Sequence, residues 1–147
     1  MGSMIPKGSQ LLLDTVALIY FLEENERYAK RAEKIFRRIE SGQLRGVISS
    51  LVFAELLVPL YRAGDAQAAA GLSNRLRNFR NLGVIPLTTE IGIEAARLRA
   101  EHGLRTPDAI HAATAISTQS SGILTNDKRL KVLSREGLSI WLFDNLA

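Results

Sequence analysis

The chain reads as an α/β protein: a central, mainly parallel sheet of about five strands, covered by helices on both faces. Short apolar runs alternate with helical patterns along the whole length instead of segregating to one part, the order that a parallel sheet requires. Caps, glycines and prolines fall between these segments, where turns belong. A length of 147 residues with 46% hydrophobic content suits one folded domain.

Residues 11–13, all leucine, predict a buried first strand ending at Asp14, with Thr15 placed to cap a short apolar helix over 16–22. Residues 27–39 predict an amphipathic helix with Ala32, Ile35, Phe36 and Ile39 on one stripe and Gly42 past its end. A second strand over 46–48 leads to Ser49 or Ser50 as cap of an apolar helix from Leu51. Pro59 must kink or end that helix, because it has no amide proton to donate. Gly64 and Asp65 break the chain before a polar, basic helix over 67–79. Residues 84–87 predict a third strand, and Pro86 argues for a sheet edge or the last rung of pairing. Thr88 or Thr89 caps a helix that runs to Ala100 and closes at Gly103. Thr106-Pro107-Asp108 opens the next helix with cap, proline and first-turn acid; its Ala109, Ile110, Ala112, Ala113 and Ile116 suit close packing under a sheet. Residues 122–124 and 139–142 supply the last two strands, with Trp141 in the core. Met1-Gly2-Ser3-Met4 reads as an expression scar before a second start, and 5–147 as one domain without repeats or linkers.

Composition excludes several functions. The absence of cysteine rules out disulfides and thiolate metal sites and fits a reducing, cytoplasmic setting. No apolar stretch approaches the roughly 18–20 residues of a bilayer span, so no membrane partner is expected. Nineteen Lys and Arg against fifteen Asp and Glu give a formal charge of +4, and fourteen of those cations are Arg, whose fork suits phosphate.

Four acids stand where folding explains an acid least. Asp14 ends an apolar strand and serves equally as a turn residue or cap of the helix from Val16 and as a site residue, at the edge of the sheet where ligands bind in such folds. Glu55 is the only charge between Val47 and Leu60, and a carboxylate in so apolar a stretch needs a proton, an Arg or a metal. Asp108 is explained by helix capping and dipole chemistry when taken alone. Asp127, after Thr125 and Asn126, serves equally as a turn residue or as a site residue. His111 lies three residues after Asp108 on the same helix face and reads as packing; His102 reads as a helix-end cation. Tyr20, Tyr28 and Tyr61 read as packing too.

Acids that converge repel by roughly 4 kcal/mol per pair at 4 Å and an effective dielectric near 20, so they stay ionised only beside a cation. Oxygen donors without cysteine favour a hard ion, Mg²⁺ or Mn²⁺. That chemistry is phosphodiester hydrolysis by metal-activated water, with Thr125 and Asn126 beside Asp127 to hold a water or a phosphate oxygen. A Gly-rich phosphate loop, a dinucleotide-binding glycine motif and a nucleophile elbow are all missing.

Residues 11–15 (Leu-Leu-Leu-Asp14-Thr15), 49–57 (Ser-Ser-Leu-Val-Phe-Ala-Glu55-Leu-Leu), 106–115 (Thr-Pro-Asp108-Ala-Ile-His-Ala-Ala-Thr-Ala) and 123–127 (Ile-Leu-Thr125-Asn-Asp127) together resemble a PIN domain. Within that family the chain is most similar to the VapC-type ribonuclease toxins of toxin–antitoxin pairs, over nearly its whole length. The resemblance implies a three-layer α/β/α sandwich and Mg²⁺- or Mn²⁺-dependent cleavage of RNA. It also implies homodimers and inhibition by a small antitoxin. Asp14, Glu55, Asp108 and Asp127 match the acidic, metal-holding positions, Thr125 matches the hydroxyl position, and Asn126 is a looser match. Pro59, so close to Glu55, departs from the pattern.

Two rival functions share this fold: a nuclease of RNA processing or structured DNA, and a catalytically weak RNA- or protein-binding module. Lys30, Arg31, Lys34, Arg37 and Arg38 form one basic run, and Arg75, Arg77 and Arg80 another; each reads first as a solvated helix face and second as an RNA guide.

Overall fold

The structure, a computed structural model, describes residues 2–23 and 25–147. Five strands, β1 (Gln10–Leu13), β2 (Arg45–Ser49), β3 (Leu82–Ile85), β4 (Gly122–Thr125) and β5 (Ser139–Leu142), form an all-parallel sheet in the order β3-β2-β1-β4-β5. The helices are α1 (Thr15–Leu22), α2 (Ala29–Glu40), α3 (Leu51–Leu56), α4 (Val58–Arg62), α5 (Ala66–Arg77), α6 (Thr89–His102) and α7 (Thr106–Ser117). A 3-10 helix, Lys128–Glu136, links β4 to β5, and a short one, Phe143–Asn145, follows β5.

Alternation along β1 builds a core on each side of the sheet. Leu11 and Leu13 pack with buried residues of α1, α2, α3 and α5. Leu12 packs with Ile91, Ala95 and Leu98 of α6, the alanines of α7, and Leu130 and Leu133 of the 3-10 helix. The three-layer sandwich follows. The stripe Ala32, Ile35, Phe36 and Ile39 of α2 is buried as its spacing requires. On α7, Ala109, Ala112, Ala113 and Ala115 are buried beneath the sheet, whereas Ile110 and Ile116 are only half-buried.

Local chemistry sets the element ends. Pro59 separates α3 from α4 and sits in the first turn of α4, where its missing amide proton is harmless. β3 is an edge strand but lies two residues earlier than expected, over Leu82–Ile85, and stops before Pro86, which has no amide proton for the ladder. Gly103 ends α6 at a φ of 67°, a left-handed conformation that favours glycine. Gly122 lets β4 lie against β5: a Cβ there would stand 2.2 Å from the Ser139 carbonyl oxygen.

Some expectations change. Asp14, not Thr15, caps α1, because its carboxylate accepts from the Ala17 amide at 3.2 Å. Ser49 takes the capping bond of the Leu51 amide, while the Ser50 hydroxyl accepts from Leu87. Thr106 is already helical, with Arg105 as the flanking cap. Trp141 is half-buried instead of fully interior, since β5 is the other edge strand, and Tyr61 is exposed on α4. His102 ends α6 but is also tied to Glu136, which Arg97 grips as well. Of the segment 1–4, Met1 lies outside the described residues, and Ser3 forms an isolated bridge with Leu146. Among the described residues no helix is long and apolar enough to cross a membrane.

Candidate active site

The strand order reverses at β1. From there the chain winds outward to β2 and β3, then returns to the opposite side as β4. Crevices at the carboxyl ends of strands form at such a switch point. Asp14 and Thr15 follow β1, Asn126 and Asp127 follow β4, and Glu55 lies in the second turn of α3, just after β2. The fourth wall is the start of α7, with Arg105 just before the helix and Pro107, Asp108 and His111 in its first turns. These residues, with Val16, Tyr20 and Lys128, line one cleft of about 720 Å³.

All four acids therefore open onto one cleft, but each is engaged separately. Asp14 is buried at its floor, 9% exposed, against the start of α1 and the Thr125 hydroxyl. Thr125 is fully buried, and its Oγ1 also accepts from the Asp127 amide at 3.1 Å. Glu55 accepts from the Thr15 hydroxyl at 2.6 Å and lies 3.3 Å from His111 Nε2, with its side chain one-third exposed at 33%. Asp108 accepts from Arg105 Nε at 3.2 Å. Asp127 caps the 3-10 helix through the Arg129 amide and is gripped by the Arg129 guanidinium, Nη2 to Oδ2 at 2.6 Å. Asn126 accepts from the Asp144 amide and donates to the Tyr20 hydroxyl, so it braces the cleft end.

Electrostatics separates Asp14 from the rest. Burial pushes its carboxyl up to about 6, despite the Thr125 hydrogen bond, the charge of a protonated His111 and the Ala17 amide; Asp108 nearby pushes the same way. The His111 hydrogen bond holds Glu55 below its ordinary value against partial burial, with help from Thr15. Arg129 does the same for Asp127. His111 is itself 3% exposed, and its Nδ1 is buried without a partner among the described residues.

The donor set fits a hard divalent cation in kind. The donors are carboxylate oxygens, and among the described residues buried Asp14 has no Lys or Arg paired with it. In distance the set is not assembled: among the described residues no three His, Asp or Glu side chains stand close enough to hold an ion. The cause is local, because three of the four acids are turned to partners within the chain. Sequence reasoning set His111 aside as packing and did not single out Arg105. The signal was present in the helical spacing, since Arg105, Asp108 and His111 recur every three residues on one face of α7.

A PIN domain model matches residues 11–136, and the chain belongs to the PIN domain family, a nuclease fold. A toxin–antitoxin complex from Klebsiella pneumoniae contains a similar chain, 26% identical, with a TM-score of 0.60 over 82% of this chain and 89% of that one. VapBC2 from Rickettsia felis, bound to a DNA fragment from its promoter, is 18% identical with a TM-score of 0.63, covering 90% of this chain and 98% of that one. FitAcB from Neisseria gonorrhoeae reaches a TM-score of 0.67 at 18% identity, covering 92% and 99%. The latter two likenesses are of fold. No curated protein sequence matches the chain.

Proposed function

We propose that this chain is a divalent-metal-dependent endoribonuclease, the toxin of a toxin–antitoxin pair, acting in the cytoplasm as a homodimer held in check by a small antitoxin. The observation that carries the reading is the cleft at the carboxyl ends of β1 and β4, with three acids on its walls and the buried Asp14 at its floor. The similar chain of the Klebsiella complex supports the toxin assignment. Asp14, Glu55, Asp108 and Asp127 would hold Mg²⁺ or Mn²⁺, which when bound neutralises the charge gathered by the reacting phosphate. The chain's own groups do the rest. Thr15 and His111 orient Glu55, Thr125 steadies Asp14, and Arg105 and Lys128 at the rim attract the RNA backbone.

The expected outcome is cleavage of mixed RNA in Mg²⁺ or Mn²⁺, its loss in EDTA, and its loss in a folded Asp14→Asn variant. Cleavage that persists in both would sink the reading. The separately engaged acids favour one alternative, a binding module of the same fold, and RNA binding indifferent to EDTA and to Asp14→Asn would establish it.

A further inference from the structure

Three acids of the cleft have partners within the chain, and the partners are not equivalent. Arg129 grips Asp127 through Nε and Nη2 on both carboxylate oxygens, and its own amide donates to the same group. Removing Arg129 would also disturb the cap of the 3-10 helix. Arg105 holds Asp108 through Nε only, at 3.2 Å, and its side chain is 66% exposed. The other N–H donors of its guanidinium make no hydrogen bond among the described residues, and they are the fork that suits a phosphate.

Arg105 also stands where its charge reaches past Asp108. It lines the same cleft as Glu55 and Asp127, so three walls of the cleft lie around it. It flanks the start of α7, one helical step from Asp108 and two from His111, on the face that lines the cleft. An exposed ion pair of this kind is weak, and a divalent ion shared by several carboxylates outcompetes it. We propose that Arg105 and a divalent cation compete for Asp108, and that the displaced guanidinium then binds a phosphate of the RNA backbone. The proposal rests on the nuclease reading above and deepens it, by making Arg105 the substrate-positioning residue of the cleft.

The test is calorimetric titration of Mn²⁺ into the unsubstituted chain and into Arg105→Gln, Arg105→Lys and Arg99→Gln, all without RNA. Arg99 is exposed on the last turn of α6 and does not line the cleft, so its variant removes the same charge elsewhere. Arg105→Gln is expected to tighten Mn²⁺ binding by about two- to five-fold, the size of one exposed ion pair removed. Arg105→Lys should stay near the unsubstituted chain, and Arg99→Gln should not move. In RNA cleavage, Arg105→Gln should raise KM and reduce the slope of log kcat/KM against log salt by about 0.7, one phosphate contact on a single strand. Equal or weaker Mn²⁺ binding by Arg105→Gln, or an equal gain in Arg99→Gln, overturns the competition. An unchanged salt slope overturns the phosphate contact. Failure of the unsubstituted chain to bind Mn²⁺ at all would overturn the nuclease reading along with this one.

Discussion

Asp14 holds the start of α1 and also forms the floor of the cleft, and the two places make opposite demands on its charge. Capping favours the carboxylate, but desolvation dominates and lifts the group to about 6 from its ordinary 3.8. The folded chain therefore binds this proton more tightly than the unfolded chain. The stability so gained is full below about pH 3.8 and is lost as pH rises through 6, leaving a deficit of about 3 kcal/mol at neutral pH. Asparagine caps a helix about as well and carries no charge. We predict that Asp14→Asn raises Tm at pH 7.5, with the gain shrinking toward pH 4. A gain that is absent at pH 7.5, or the same at both, would refute the burial argument. The acid's position at a strand end was legible in sequence. The partners of Glu55 were not, because Thr15 and His111 are 40 and 56 residues away from it along the chain. They meet only once α1, α3 and α7 are docked on one sheet.

Among the elements, strands and helices were more legible than their ends. All five strands lie where apolar runs occur, and the stripe of α2 faces the core as its period requires. Caps shifted by one residue at α1 and α7, since any of several neighbouring polar groups can take an orphan amide. The packing of β4 on β5 depends on Gly122, where the nearest obstacle to a Cβ is backbone and so cannot rotate away. Gly122→Ala should cost about 1–3 kcal/mol, the usual range for overpacking, read as a lower urea midpoint at constant m-value. An unchanged midpoint would mean that the two strands separate at little cost. Thr125 ends β4 and the Asp127 cap follows two residues on, so this variant should also reduce RNA cleavage through displacement of the cleft wall.

Across the molecule, fourteen arginines give a basic surface around an acidic cleft, but many of them serve the fold. Arg31 donates to the Phe143 carbonyl, Arg38 to the Ile5 carbonyl, and Arg37 pairs with Glu33. Arg75 lies over the Phe21 ring. In the basic run of α2, Lys30 and Lys34 have no ion-pair partner among the described residues, so any RNA guidance by this helix rests mainly on them. Reversal of both to Glu should flatten the salt dependence of RNA binding while leaving the urea midpoint in place. A slope equal to that of the unsubstituted chain would assign α2 a purely structural role.

Periodicity and punctuation in the chain were enough to define an α/β domain with its strands in order, and to pick out four acids that solvation alone does not explain. These signals are local, because a strand or helix shows its buried face within a few residues. Which groups neutralise those acids was settled by packing. Strand order brought β1 beside β4, and the docking of α7 set His111 against Glu55 and Arg105 at the mouth of the cleft. Charge pairing acts through space over a few ångströms, whatever the separation along the chain, so it exists only after the sheet and its two helical layers have formed.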